Sequence, residues 1–240
     1  MYIDTTDGWK GKVLTTILVT GASRGIGFEI SRAFLRRGHH VIATCRDPDN
    51  AHDLQALEGV LEIHALDVGD PASIAHCADS LADRAIDILV NNAGIAYRDT
   101  RIGHLDYAAW RRVLDINLLA PVAVLEAFLP HLLRGEGRKA VAISSSLGSI
   151  TRAGGGNYFY RTSKAALNMA MRSIGADLAQ QGVTVAVVSP GFVDTDLTQA
   201  LPVPKIPARE SGDGLAAYIE AMTPEDGRRF LRFNGDELPW

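Results

Sequence analysis

The chain has 240 residues, 47% of them hydrophobic and 22% charged, with 24 Lys and Arg against 28 Asp and Glu for a net charge of −4. This is ordinary globular composition, long enough for a sizeable core, and its scattered basic residues exclude a general nucleic-acid binder. Two cysteines, Cys45 and Cys77, are too few for a disulfide framework or a structural zinc site. The polar opening Met1–Lys12 lacks the basic-then-apolar layout of a signal peptide. No apolar run approaches the ~20 residues of a membrane span. The sequence therefore reads as a cytoplasmic protein with no membrane partner, no nucleic-acid partner and no metal.

Short apolar runs alternate with amphipathic stretches. Strands are predicted over Thr16–Thr20, His40–Thr44, Leu61–Leu66, Ile86–Val90, Lys139–Ser144, Thr184–Ser189 and Arg229–Arg232. Their largely unbroken apolarity suits parallel strands covered on both faces. Helices are predicted over Gly25–Arg37, Pro71–Ala82, Tyr107–Leu133 and Tyr158–Gln181. Ile26, Ile30, Ala33 and Phe34 share one face of the first, and Gly38 stops it. Asp70 caps the second, with Pro71 at its first position. This alternation predicts an α/β fold, a doubly wound parallel sheet, as one domain over residues 1–240. Residues 1–14 form an N-terminal extension with no assignable role. The proline-rich stretch with Pro202, Pro204 and Pro207 reads as a loop inside that domain.

Thr20-Gly21-Ala22-Ser23-Arg24-Gly25-Ile26-Gly27 joins the first strand to the first helix. Glycine permits the tight turn, and the helix N-terminus offers unpaired N–H groups to a pyrophosphate. The spacing is G-x-x-x-G-x-G rather than the common G-x-G-x-x-G. Its place at the first strand–helix junction of a parallel sheet makes it a nucleotide site. An NAD site usually ends the second strand in Asp or Glu, for the ribose 2′-hydroxyl. Here the strand runs Val41-Ile42-Ala43-Thr44-Cys45-Arg46, and Asp47 comes one residue late. Arg24 and Arg46 could instead fork onto a 2′-phosphate, which favours NADP(H) over NAD(H).

Tyr160 and Lys164 stand one helical turn apart and can act on one ligand. A phenol near pKa ~10 is a poor proton shuttle at neutral pH, and bringing it to about 7 needs roughly 4 kcal/mol. One cation at ~4 Å in an effective dielectric of ~20 supplies about that much, so a lysine one turn away, helped by the charge of an oxidised nicotinamide, suffices. Tyr158 has only Thr162 at the corresponding position. Pro121, four residues after Asn117, lacks an N–H, so an α-helix there leaves the Asn117 carbonyl without its donor.

Gly21–Gly27, Asn91-Asn92-Ala93-Gly94, Ser144–Gly148, Tyr160 with Lys164, and Pro190-Gly191 together resemble the short-chain dehydrogenase/reductase pattern, in order and over about the first 200 residues. Ser144–Ile150, Gly154-Gly155-Gly156, Tyr160–Asn168 and the ending Gly235–Trp240 resemble its C-factor and sniffer-like carbonyl reductases.

The resemblance implies a Rossmann-like sheet of order 3-2-1-4-5-6-7 and hydride exchange between a nicotinamide and a small-molecule carbonyl or alcohol. Reduction of an aldehyde, ketone or quinone is favoured. It implies Tyr160 as proton donor and Lys164 as its modulator and a ribose ligand. Ser145 would bind the substrate oxygen, although the interval to Tyr160 is two residues longer than is common. Asn117 would serve a proton relay. Asp67 and Val68 would read the adenine, and Asn91, Ala93 and Gly94 would flank its ribose. Pro190, Gly191, Val193 and Thr195 would line the nicotinamide end. Residues 195–211 would cover the substrate, and the protein would form a homodimer or homotetramer. Two other readings stay open: an NAD-dependent alcohol dehydrogenase, and a nucleotide-binding signalling protein.

Overall fold

The computed structural model describes residues 14–97, 101–199 and 203–240. Most of the N-terminal extension and residues 200–202 of the expected substrate-covering loop lie outside them. The chain forms one α/β sheet with strands β1 (Thr16–Thr20), β2 (His40–Cys45), β3 (Val60–Ala65), β4 (Ile88–Asn91), β5 (Lys139–Ile143), β6 (Thr184–Ser189), β7 (Phe230–Arg232) and β8 (Glu237–Leu238). Their order is β3-β2-β1-β4-β5-β6-β7-β8. The first seven are parallel, as expected; β8 runs antiparallel to β7, a strand the sequence reading did not contain.

Helices α1 (Gly25–Arg36), α2 (His52–Gln55), α3 (Pro71–Ser80), α4 (Tyr107–Leu114), α5 (Ala120–Arg134), α6 (Tyr158–Leu178) and α7 (Ala208–Ala221) connect and cover the strands. Two apolar layers flank the sheet. Leu18, Ile42, Leu89 and Phe128 centre one; Val19, Ile30, Phe34 and Leu215 centre the other. Neighbouring residues of β1, such as Leu18 and Val19, thus enter opposite layers, which is why the strand shows no polar alternation. Asp70 caps α3 as expected, its side chain accepting from the N–H of Ala72.

Three expectations are corrected. The helix foreseen from Tyr107 is interrupted by a π-turn, Asp115–Leu119, where Ala120 N–H donates to the carbonyl of Asp115, five residues back. The stretch foreseen as irregular to Ser211 already begins α7 at Ala208, and α7 packs along α1. The helical run Tyr107–Arg134 is long and apolar enough to cross a membrane, with a mean hydropathy of 1.7 in its most apolar window. The fold accounts for that apolarity: Val124, Phe128 and Leu132 have no exposed surface and lie in the core.

Candidate active site

β1 ends at Thr20, and the chain turns through Gly21 (φ +65°) and Gly25 (φ +58°) into α1. Positive φ suits glycine there. A Cβ on Gly21 would lie 3.0 Å from the Cα of Ala93, and one on Gly27 would lie 2.4 Å from both Asn92 Nδ2 and the Gly21 carbonyl. Asn92 staples the turn: its Nδ2 donates to the carbonyls of Thr20 (2.9 Å) and Gly21 (3.1 Å). Thr20 Oγ1 in turn accepts from the N–H groups of Asn92 and Ala93. Arg24 sits at the N-cap of α1 without a capping side-chain bond, and the first turn carries no acidic residue. The first-turn N–H groups of a helix have no intrahelical partner, and this turn borders an opening.

That opening is a cleft of about 300 Å³. Gly21, Ser23, Arg24, Gly25 and Ile26 line one wall, and Arg46, Asp67 and Val68 the next. Ala93, Gly94 and Thr195 line the floor and far end. Gly27 stands behind the wall and enables the close packing. Asn91 turns away, its buried amide donating to the Pro121 carbonyl at 3.1 Å; its neighbour Asn92 lines the cleft instead. Sequence reasoning also missed Ile95, Arg112, Ile116 and Asp196 on the lining. Arg112 and Ile116 reach it from the helical run that starts at α4, a placement only the tertiary fold supplies.

Electrostatics at the ribose end follow the missing carboxylate. Asp47 does not line the cleft; it is held by Asn50, whose Nδ2 donates at 2.7 Å and keeps the Asp47 carboxyl below its usual range. Arg46 is exposed beside Cys45. The Asp67 carboxylate accepts from Gly69 N–H at 2.9 Å and fixes the turn after β3.

The reacting groups gather where β5, α6 and the π-turn meet. Lys164 Nζ lies 5.8 Å from the centre of the Tyr160 ring and donates to the Ile143 carbonyl at 2.8 Å. The Ser145 hydroxyl, which accepts from Leu147 N–H at 3.2 Å, is near enough to the Tyr160 phenol to oppose the upward shift of its pKa. The longer Ser145–Tyr160 interval is therefore absorbed by the intervening loop, which passes through Gly156 (φ +73°) and Asn157 (φ +51°). Ser144 Oγ is spent on Asn168 Oδ1 and so does not compete with Ser145, while the Ser146 main chain is fixed by its N–H bond to Ser189 Oγ.

Asn117 is fully buried. Its Nδ2 donates to the Ile95 carbonyl (2.8 Å) and Ser163 Oγ (3.1 Å), and its Oδ1 accepts from Ile95 N–H (2.8 Å). A Cβ on Gly94 would meet Asn117 Oδ1 at 3.2 Å and Lys164 Nζ at 3.8 Å, which places both beside the cleft floor. In the π-turn the ladder has slipped by one residue before Pro121. Pro121, next after Ala120, has no N–H to give to the carbonyl four residues back, Asn117, or five residues back, Ile116.

Burial sets the titration of the pair. It pushes the Tyr160 phenol up to about 12, against the opposing pull of Ser145, and draws the Lys164 ammonium down to about 8. Among the protein's own groups, desolvation dominates both; the charge of an oxidised nicotinamide, on which the expected lowering of the phenol also draws, is not among them.

Beyond these residues, Pro190 accepts from Ser211 Oγ at 2.7 Å, which ties the turn after β6 to α7. Gly191 has φ +85°. Val193 forms a parallel bridge with Ile206 that uses the N–H groups of Asp194 and Ile206 and leaves that of Val193 out. Thr195 Cγ2 would lie 3.6 Å from a Cβ on Gly25, so the segment after β6 closes over the glycine turn.

This combination of sheet order, glycine turn and Ser–Tyr–Lys cluster defines a nicotinamide-dependent oxidoreductase scaffold. The short chain dehydrogenase family profile matches residues 15–204, and the chain belongs to the short-chain dehydrogenase/reductase family. It is 38% identical over 232 residues to the 1-hydroxy-2-glutathionyl-2-methyl-3-butene dehydrogenase of Rhodococcus sp. (strain AD45), covering 95% of this chain and all of the relative. It is 38% identical over 164 residues to the C-signal protein of Myxococcus xanthus, covering 68% of this chain and 98% of that one. Its fold superposes on NADPH-bound carbonyl reductase from chicken fatty liver with a TM-score of 0.88 and 33% identity, over 95% of this chain and 99% of that one.

Proposed function

We propose that the protein is an NADPH-dependent carbonyl reductase acting on an aldehyde, ketone or quinone. The observation that carries this reading is the Tyr160–Lys164 pair, the buried ammonium 5.8 Å from the ring centre and held by the Ile143 carbonyl, with Ser145 beside the phenol. It lies beside a cleft lined by Arg24 and Arg46 and by no carboxylate at the end of β2. The residues fit the cofactor. The glycine turn gives bare backbone to a pyrophosphate, the two guanidinium groups suit a 2′-phosphate, and Asp67 with Val68 offers an edge to an adenine.

When bound, NADPH supplies the hydride that the carbonyl carbon accepts. Ser145 Oγ holds the substrate oxygen, and Tyr160 donates its phenolic proton to that oxygen. A phenol pushed up to about 12 is protonated throughout the neutral range, which is the form a proton donor needs. Lys164, held by Ile143, stabilises the phenolate left behind. The π-turn carbonyls at Ile116 and Asn117 are placed to hold a water through which the proton is replaced. Residues 195–211 would cover the substrate, with Thr195 also touching the cofactor.

The name of the Rhodococcus relative favours a second reading, oxidation of an alcohol on the same scaffold. There Tyr160 would have to lose its proton first, against the burial that holds it. The signalling reading suggested by the Myxococcus relative is tested by Tyr160→Phe, since signalling by binding alone survives that change.

The deciding experiment is titration with NADPH and with NADH, followed by nicotinamide fluorescence, in the parent and in Arg46→Ala. Loss of one guanidinium–phosphate contact is expected to weaken NADPH by about tenfold or more and leave NADH unchanged. Preference for NADH, or no effect of Arg46, would favour the NAD-dependent alcohol dehydrogenase.

A further inference from the structure

We propose that Trp240 is a positioning residue for the reaction: it pins the segment that follows Ser145 and thereby sets the geometry between Ser145 and Tyr160. The inference rests on the carbonyl-reductase reading above. The main-chain oxygen of Trp240 accepts three hydrogen bonds from one short segment: Thr151 N–H (3.0 Å), Thr151 Oγ1 (2.8 Å) and Ser149 Oγ (3.3 Å). Ser149 Oγ also accepts from Arg152 N–H at 3.2 Å, which closes the turn.

The ring of Trp240 fixes where that oxygen sits. It stacks on the buried Phe230 of β7, with centroids 5.6 Å apart and planes at 26°. The Arg172 guanidinium of α6 lies over it at 5.3 Å. The pairing of β8 with β7 delivers the chain to this point. The extra strand thus has a mechanical consequence, since it carries Trp240 to the loop between Ser145 and Tyr160.

Beyond the Trp240 oxygen, that loop is tied outside itself by a long bond from Arg161 Nη1 to the Arg152 carbonyl (3.5 Å), and within itself by Ala153 N–H to the Ile150 carbonyl (3.0 Å). Past the short 3₁₀ turn Ser146–Gly148, residues 150–155 are exposed, and the segment enters α6 through two residues with positive φ. At its start, a Cβ on Gly148 would lie 2.9 Å from the Lys164 carbonyl carbon. A shift of Ser149 is therefore passed directly to the backbone of Lys164 on one side and to Ser145 on the other. Misplacement of a reacting group by about 1 Å can cost on the order of a hundredfold in rate.

The test compares Trp240→Ala, Trp240→Phe and the double variant Ser149→Ala/Thr151→Val with the parent. Trp240→Ala is expected to lower kcat about tenfold or more while NADPH Kd stays within about twofold. Trp240→Phe, which keeps a ring between Phe230 and Arg172, should restore most of the loss. The double variant leaves the ring and core intact, and should lose kcat to a similar degree with little change in Tm. Amide hydrogen exchange over residues 149–157 needs no substrate; it should rise about tenfold in both the alanine and the double variant, with α6 unchanged.

Unchanged exchange in those variants overturns the proposal. So does wild-type kcat in the double variant alongside a Trp240→Ala protein that merely loses Tm, which would leave Trp240 a packing residue. A parent that binds NADPH yet reduces no carbonyl overturns the functional reading instead, while the exchange measurement still decides whether Trp240 holds the segment.

Discussion

Arg24 Nη1 and Asp196 Oδ2 stand 2.9 Å apart although 172 residues separate them in sequence. The pair bridges the cleft mouth from the glycine turn to the segment after β6. Both side chains are about three-quarters exposed, so the contact adds little to stability. If Arg24 reads a 2′-phosphate as proposed, Asp196 competes with that phosphate for the same guanidinium. Asp196→Ala is therefore expected to tighten NADPH relative to NADH by about threefold. Arg24→Ala should weaken NADPH by about tenfold and leave NADH nearly unchanged. Paired Kd titrations check both; a common shift for the two cofactors would show that Arg24 reads no phosphate.

The glycine turn gives a steric prediction. A methyl at Gly27 would press on Asn92 Nδ2 and the Gly21 carbonyl, the two partners of the hydrogen bond that fixes the turn. Gly27→Ala is expected to weaken NADPH more than about tenfold and to cost about 1–3 kcal/mol of stability. Gly155→Ala is the control, since a Cβ there meets nothing within 4 Å. The two are separated by urea unfolding with the fluorescence titration. A Gly27→Ala protein that binds NADPH like the parent would mean that Asn92 can give way.

The buried lysine makes a prediction about pH. An unfolded lysine titrates near 10.5, whereas burial draws folded Lys164 down to about 8. The folded state therefore disfavours the ammonium. The penalty is fully present below about pH 8 and fades as pH rises towards 10.5. At ~1.4 kcal/mol per unit it amounts to about 3 kcal/mol, of which losing the hydrogen bond to Ile143 would return about 1.

Lys164→Met should accordingly be inactive yet about 2 kcal/mol more stable than the parent at pH 7, or about 4–8 °C in Tm. The advantage should disappear between pH 8 and 10.5. Tyr160 works in the opposite sense. Its raised value removes stability as pH climbs from 10 to 12, so the loss of the Lys164 penalty is read below about pH 10. Thermal melts across this range decide; a pH-independent difference would show that Lys164 carries no such penalty.

The sheet was legible because its signal is local. Apolar runs such as Ile17–Val19 and Val185–Val188 need only burial on two faces to become parallel strands, whereas their order came from the family resemblance. What escaped was decided by contacts distant in sequence. β8 is only Glu237–Leu238, too short to show a period, and exists through β7. The π-turn has no composition of its own; only Pro121 hinted at it. Of the adjacent Asn91 and Asn92, strand pleating sends one to Pro121 and the other to the glycine turn. Chain order does not reveal which, and the sequence reading chose the first. Tyr160 and Lys164 were readable because their spacing is one helical turn. Their titration was not, because desolvation belongs to the fold.

Asn117 yields the remaining prediction, since its side chain and main chain have separable tasks. The amide is spent entirely on Ile95 and Ser163, with no exposed surface. Asn117→Ala strands the Ile95 N–H and carbonyl, which water reaches poorly, at a cost of about 1–3 kcal/mol for each orphaned group. A loss of about 3 kcal/mol is expected by urea unfolding. NADPH affinity should fall with it, because Ile95 and Gly94 line the cleft. Asn117→Gln, one methylene longer in a closed site, should not rescue either property. The proposed water relay would use the main chain of the π-turn rather than this amide. Pro121→Ala supplies the missing N–H donor and leaves the Asn117 side chain in place. It should keep stability and NADPH affinity while lowering kcat and raising the solvent isotope effect. Parent-like kcat in Pro121→Ala would remove the relay from the mechanism and leave Asn117 as the post that holds Ile95 against the cleft.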